Sequence, residues 1–273
     1  MKRKEPLHAI VATIAVCGLL MAAQHHGVAQ AGQKYSVASR TASPGTSKGL
    51  AAMDAAASDG KYLFLFFWKA SDAHSRKMGG VFQSTMNKWA ESTNSISVKI
   101  TDRNEKAVVD KLGVSRAPMP LVVALAPNGA VTKAFPIKFT EQDLLQGFVS
   151  PCTAKCMKAL QNRKLVLLSV HNQQTRLSQI ALQGAQDFKA DARFSQATEL
   201  ITVDPDDSAE VSFLQKLQVD PRTPTAVTIL LAPTGQSVAK FVGAVTKEQI
   251  VAKVQAGPCA GGKCGPGGCC PKK

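Results

Sequence analysis

Lys111–Phe135 (KLGVSRAPMPLVVALAPNGAVTKAF) and Lys216–Phe241 (KLQVDPRTPTAVTILLAPTGQSVAKF) are one stretch written twice. Pro118 and Pro224 lie 106 residues apart, as do Ala126 and Ala232, and Thr140 and Thr246. The second copy carries one extra residue ahead of its proline, where Asp220-Pro221-Arg222-Thr223 faces Ser115-Arg116-Ala117. Each copy reads as a helix end, an X-Pro segment, an apolar strand, an Ala-Pro-Asn/Thr-Gly turn, a second strand and a Thr-led helix. Pro-Asn-Gly between apolar runs is a hairpin signal. A period of 106 residues is too long for a solenoid, so the pattern marks a duplicated domain.

Upstream of the first copy, Tyr62–Trp68 (YLFLFFW) is a continuous apolar run, as expected of a strand covered on both faces. Around it the pattern predicts helices over Gly49–Ser58, on through Trp89, and over Asn104–Leu112, with a strand at Ser95–Thr101. The second half predicts helices at Cys152–Leu160, Thr175–Arg193 and Asp207–Leu217 and strands at Lys164–Val170 and Thr198–Val203. A hairpin over Thr225–Val242 and a helix over Thr246–Gln255 complete it. The fold class is therefore α/β: two tandem domains, 49–150 and 151–256, each a mixed sheet sandwiched between helices.

A chain of 273 residues suits two domains, and 45% hydrophobic residues with 5% aromatics suit aliphatic cores. Formal charge is +14, and 30 basic against 18 acidic residues (+12) remain once Met1–Ala31 is set aside. That surplus attracts anionic surfaces weakly. The basic residues are scattered, with no stripe interleaved with aromatics, which argues against nucleic acid as a partner.

Met1–Ala31 has the parts of a secretory signal: Lys2-Arg3-Lys4, the apolar Ala9–Ala23, and Ala29-Gln30-Ala31 as the small-x-small cleavage pattern. Its fifteen apolar residues are short for a membrane span, which needs about 20. Cleavage before Gly32 is the first choice, and an uncleaved anchor, the one route to a membrane, the second. Val16 and the apolar sequence beyond Cys17 speak against a lipoprotein box. The expected location is periplasmic or secreted, where six remaining cysteines become disulfide or metal candidates. Gly32–Lys48, with Pro44-Gly45, reads as a flexible leader.

The layout resembles the thioredoxin-like superfamily, twice over. In that family a strand ending in Phe-Trp leads into Cys-x-x-Cys at a helix start. Here Phe67-Trp68 is in place, but Asp72 and Ser75 stand at the cysteine positions, and the second copy runs Val170-His171-Asn172-Gln173-Gln174-Thr175. The family also carries a cis proline opposite the motif. Gly113-Val114-Ser115-Arg116-Ala117-Pro118 matches that stretch well, and Val219–Pro224 matches it with Thr223-Pro224 as the cis bond. Dithiol exchange needs one thiolate to attack and a second thiol to resolve. Neither Asp72 with Ser75 nor the second copy supplies them, so the resemblance implies a redox-inactive domain whose groove, at Ala117-Pro118 and Thr223-Pro224, holds an extended peptide by strand addition.

Ser71, Asp72, His74 and Ser75 hold the letters of a hydrolase triad. Triads assemble from distant segments, and Asp72 or Ser71 is better read as a helix N-cap. His171 reads as structural. Ser150-Pro151 signals a helix start, which places Cys152 where the helix dipole lowers a thiol pKa and Cys156 one turn on. The pair is expected to be accessible to a partner or a metal, or else to pack under the linker. The tail Gly257–Lys273 (GPCAGGKCGPGGCCPKK) holds Cys259, Cys264, Cys269 and Cys270 in a segment too small-sided to form a core. Such thiols suit a soft ion, copper(I) or zinc, or disulfide cross-links, although the spacing matches no zinc ribbon.

Two functions follow. One is a non-catalytic extracytoplasmic binding or scaffold protein for a protein or peptide partner, with the tail as a metal-binding or cross-linking appendage. The other is an atypical thiol–disulfide oxidoreductase that uses Cys152, Cys156 and the tail, whose 12-residue reach spans roughly 20 Å.

Overall fold

The computed structural model describes residues 47–256. The stretches expected to be a secretory signal and, all but its end, a leader, and the tail with Cys259, Cys264, Cys269 and Cys270, lie outside the described residues.

The first repeat runs α1 (Lys48–Asp59), β1 (Tyr62–Trp68), α2 (Ala73–Lys88), β2 (Thr93–Lys99), a 3-10 turn (Arg103–Glu105) into α3 (Lys106–Leu112), β3 (Leu121–Leu125), β4 (Val131–Pro136) and α4 (Glu141–Leu145). The second runs α5 (Pro151–Gln161), β5 (Leu165–Val170), α6 (Ser178–Ala190), β6 (Thr198–Val203), a 3-10 turn (Ser208–Glu210) into α7 (Val211–Lys216), β7 (Val227–Leu231), β8 (Ser237–Val242) and α8 (Lys247–Gln255). No helix among the described residues is long and apolar enough to cross a membrane.

Each repeat forms one four-stranded sheet, ordered β2-β1-β3-β4 and β6-β5-β7-β8. The first pair in each is parallel and the others antiparallel. Register repeats as well: Leu65 lies between Ile96 and Val123, and Leu168 between Ile201 and Ile229. The apolar run of β1 alternates between two cores. Leu63, Leu65 and Phe67 pack toward α1 and α3, while Phe64 and Phe66 pack toward α2 and α4. A strand buried on both sides needs apolar residues at every position, which is why no alternation shows in YLFLFFW.

Boundaries moved where tertiary pairing decided them. β2 starts at Thr93 rather than Ser95 because it follows β1 residue for residue, from Tyr62↔Thr93 to Trp68↔Lys99. α6 starts at Ser178 rather than Thr175 because the Asn172 side chain accepts from the Gln174 and Thr175 amides (2.9 and 3.1 Å) and holds those residues in a turn.

The two repeats differ in how they fill the space under α2 and α6. Phe66 packs against Phe82 and Phe139, at ring distances of 5.4 and 6.4 Å. By register Ser169 takes the place of Phe66 and Thr228 that of Val122, and Val245 stands one repeat after Phe139. Smaller residues let α6 sink onto the chain behind it. A Cβ on Gly184 would lie 1.8 Å from the Val245 carbonyl oxygen, so only glycine fits there.

The repeats meet through the β3–β4 turn and α5. Asn128 Nδ2 donates to the Ala154 carbonyl (2.8 Å), and the Gln161 amide takes both backbone groups of Val131 (3.0 and 2.7 Å). Ala126, Ala130 and Ala154 are buried between them, and Tyr62 Oη donates to the Val149 carbonyl in the linker (2.5 Å).

Candidate functional site

The two copies differ at the end of each sheet where β1 and β5 run out into α2 and α6. In the first domain Asp72 is the N-cap of α2, and its Oδ1 accepts from the Ser75 amide at 2.7 Å. That backbone hydrogen bond, with lesser help from His74, holds the Asp72 carboxyl below its ordinary pKa. Ser75 is buried. Ser71, Asp72, His74 and Ser75 form a capped helix start and not a triad.

His74 Nε2 donates to the Ile137 carbonyl (2.8 Å), and the Ile137 amide donates to the Pro120 carbonyl (2.7 Å). This relay fixes the start of α2 to the loop ahead of β3. Ile137 sits at φ 66 with its side chain 50% exposed. A β-branched residue in the left-handed region is an outlier, and its counterpart in the second domain, by strand register, is Gly243 at φ 86.

Among the described residues the one cis peptide bond is Met119–Pro120. Ala117–Pro118 and Thr223–Pro224 are both trans, which corrects the expectation at those two prolines. The reason lies in register. Leu121 pairs with Phe67 and Val227 with Val170, so the residue directly ahead of the strand is Pro120 in one copy and Ala226 in the other. The 106-residue match aligned Pro118 with Pro224 correctly, but both lie two residues upstream of that position. The family-like proline is thus present once, and the second copy has alanine in its place.

That difference governs which edge is open. In the first domain neither the Pro118 carbonyl nor the Met119 amide has a hydrogen-bond partner among the described residues, and Pro118 is exposed. In the second, the Arg176 amide donates to the Pro224 carbonyl (2.9 Å) and the Ala226 amide donates to the Arg176 carbonyl (3.0 Å). Arg176 and Thr225 form a parallel bridge. The groove expected at Thr223-Pro224 is therefore filled by the chain itself. Three more residues separate strand from helix there (171–177) than at Lys69–Asp72, and they let the loop reach across.

Among the described residues Cys152 and Cys156 are free thiols, and both are buried, within the core of Ala159, Val166, Leu168 and Leu214. The expected activation of Cys152 is reversed. Its hydrogen bond with Cys156 raises its pKa first, burial next, and the neighbouring charges of Cys156 and Glu210 after that. Glu210 already occupies the helix start: its carboxylate accepts from the Cys152 amide (2.8 Å) and from Ser150 Oγ (2.5 Å). Glu105 does the same for α1, accepting from Ser47 Oγ (2.7 Å) and the Lys48 and Gly49 amides (3.0 Å each). No group of three or more His, Cys, Asp or Glu side chains able to hold a metal occurs among the described residues. The expected access to a partner or metal is absent because the thiols face inward.

Sequence reasoning passed over Met119-Pro120, Ile137, Arg176 and the Glu105/Glu210 pair. The carboxylates did leave a signal, since Asp-x-x-Glu recurs 105 residues on at Asp102–Glu105 and Asp207–Glu210.

No family model matches the chain, and no curated protein matches it. Solved structures do. Thioredoxin O2 from Arabidopsis thaliana in the oxidised state aligns at 17% identity over 35% of this chain and 79% of its own, with a TM-score of 0.30. The first two thioredoxin domains of Saccharomyces cerevisiae Eps1p align at 8% identity over 79% of this chain and 97% of theirs, TM-score 0.29. Disulphide isomerase from Xylella fastidiosa Temecula1 aligns at 14% identity over 35% and 81%, TM-score 0.28. Such likenesses say nothing of activity or ligand; the strand order and register carry the fold. The fold is thioredoxin-like, twice.

Proposed function

We propose that this is a non-catalytic, extracytoplasmic thioredoxin-fold binding protein that takes one extended peptide segment at its first domain. The open Pro118 carbonyl and Met119 amide, beside Pro120 and the His74–Ile137 relay, carry this reading. An unpaired donor and acceptor on neighbouring residues suit strand addition, with main-chain bonds supplying affinity. Asp72 and Ser75 offer caps where exchange chemistry needs thiols. In this reading Cys259, Cys264, Cys269 and Cys270 form an appendage for copper(I), zinc or disulfide cross-links.

The alternative, thiol–disulfide exchange through Cys152 and Cys156, gains no support from thiols that are buried and, at Cys152, harder to ionise. A carboxymethylated, permanently unfolded polypeptide titrated into the isotope-labelled protein tests the proposal. The amides of His74, Met119 and Ile137 are expected to shift, and those of Arg176 and Thr225 to stay. Shifts confined to the second domain, or insulin reduction at thioredoxin-like rates, overturn it.

A further inference from the structure

The contact between the repeats is made once, and among the described residues it leaves one copy of each half unpaired. Inside the molecule, α5 of the second domain packs on the β3–β4 turn of the first and forms one wall of a groove of about 380 Å³ whose other walls are α1 and α3. Lys158, Gln161 and Asn162 line that groove together with Ala57, Lys111 and Gly129. The equivalent groove of the second domain, between α5, α7 and the β7–β8 turn, has no such helix beside it among the described residues. It is a cavity of about 680 Å³ whose lining includes Leu160, Phe213, Leu217 and Gly235. Repeat register makes it the same groove: Ala57, Lys111, Leu112 and Gly129 correspond to Leu160, Lys216, Leu217 and Gly235.

Burial shows what occupancy does to the turn. Ala126 and Ala130 are 3% and 0% exposed under α5, whereas of their counterparts Ala232 is half-buried and Gln236 exposed. The matching helix face is also open. α1 corresponds to α5 residue by residue, from its Ser47 cap held by Glu105 as Ser150 is by Glu210. Ala51, Ala55, Ser58 and Asp59 stand where α5 has Ala154, Lys158, Gln161 and Asn162, and the last three of them are exposed.

We infer that the vacant groove of the second domain receives α1 of a second copy of this chain, head to tail. Leu160 in place of Ala57 makes the receiving groove more apolar than the internal one, and burial of apolar area drives such contacts. Charge agrees. Lys111 and Lys158 line the internal groove together, two like charges. Between copies Lys216 meets Asp59, which stands where Asn162 does, and Ala55 replaces Lys158. Gln236 and Ser58, more polar or shorter than Ala130 and Gln161, keep the contact weaker than its covalently assisted parent, which works at an effective concentration in the millimolar range. The contact is heterologous, so it grows as an open series and not as a closed dimer.

Sedimentation velocity of the intact protein from about 5 µM to about 500 µM at low salt tests this. The mean mass is expected to rise steadily past that of a dimer, and to fall back in high salt. Lys216→Glu and Asp59→Lys are each expected to weaken association roughly tenfold, and mixing the two variants to restore it, since each then supplies what the other lacks. Ala55→Arg, a solvent-exposed helix change that leaves folding intact, is expected to block it. A monomer at every concentration overturns the inference and leaves the groove to another segment of the chain or to another protein. Association that ignores all three substitutions, or that stops at a dimer, overturns it as well.

Discussion

Glu210→Ala removes a carboxylate that is 2% exposed and accepts two hydrogen bonds, from the Cys152 amide and from Ser150 Oγ. Bonds to a charged acceptor contribute about 1.5–3 kcal/mol each, and the buried amide left behind keeps its desolvation penalty. The expected loss is about 3–5 kcal/mol, a large part of the stability of a domain this size. In thermal terms it lowers the second domain's Tm by about 15 °C or more. The chain's two tryptophans, Trp68 and Trp89, both lie in the first domain. Tryptophan fluorescence therefore follows the first domain, while far-ultraviolet circular dichroism follows both. Glu210→Ala is expected to bring forward part of the dichroism transition with less effect on fluorescence, and Glu105→Ala to bring forward the fluorescence transition. Glu210→Gln, which keeps an acceptor, is expected to lose about half as much. A Glu210→Ala protein within about 1 kcal/mol of the parent would refute the assignment of the carboxylate as the cap of α5.

Gly184→Ala drives a methyl into the Val245 carbonyl and is expected to cost about 2 kcal/mol or more; an unchanged melting curve would show that α6 does not lie so deep. Cys152 stays protonated in the fold at pH values where the unfolded thiol ionises, because its folded pKa is raised. Its share of stability is thus present below the unfolded value and is lost as pH rises past about 8.5, by up to about 1.4 kcal/mol per pH unit. Urea titrations at pH 8 and 10 on the parent and Cys152→Ala check the sign, and a parent slope no steeper than the variant's contradicts it. Both described thiols are expected to resist Ellman's reagent until the protein is denatured, and rapid native labelling of Cys152 or Cys156 would contradict their burial.

The scaffold was legible because its strands obey one rule. A central strand with cores on both sides must be apolar throughout, so Tyr62–Trp68 and Leu121–Leu125 announce themselves. The turns were legible through Ala-Pro-Asn/Thr-Gly, and the last helix of each repeat through its leading Thr140 or Thr246, to which the structure adds a capping box with Asp143 or Gln249. What stayed hidden depends on pairing across the chain. Two prolines two residues apart, Pro118 and Pro120, look alike in sequence, and only the pairing of Leu121 with Phe67 says which one abuts the strand. Cys152 at a helix start looked activated because the dipole argument treats the helix alone. A carboxylate 58 residues away, Glu210, occupies the donors that would have steadied a thiolate.

The second domain's closed edge and its missing proline are one change. Proline has no N–H, so Pro120 leaves nothing on its nitrogen to satisfy. Ala226 in the same register is fully buried and brings a donor that must be paired. Arg176 pairs it, and the longer loop before α6 is what lets Arg176 arrive. Ala226→Pro takes the donor away again at a position whose counterpart already holds proline, and leaves the Arg176 amide's own bond to Pro224 in place. With the bond to the Arg176 carbonyl lost, worth about 1 kcal/mol, the segment is held less firmly and the Arg176 amide is expected to exchange with solvent roughly fivefold faster. Amides of Leu168 and Ile229 in the strands behind it should keep their rates. Unchanged exchange at Arg176 would mean that the loop is held by its own Asn172 and Thr175 turn, and that the alanine and the loop arose for separate reasons.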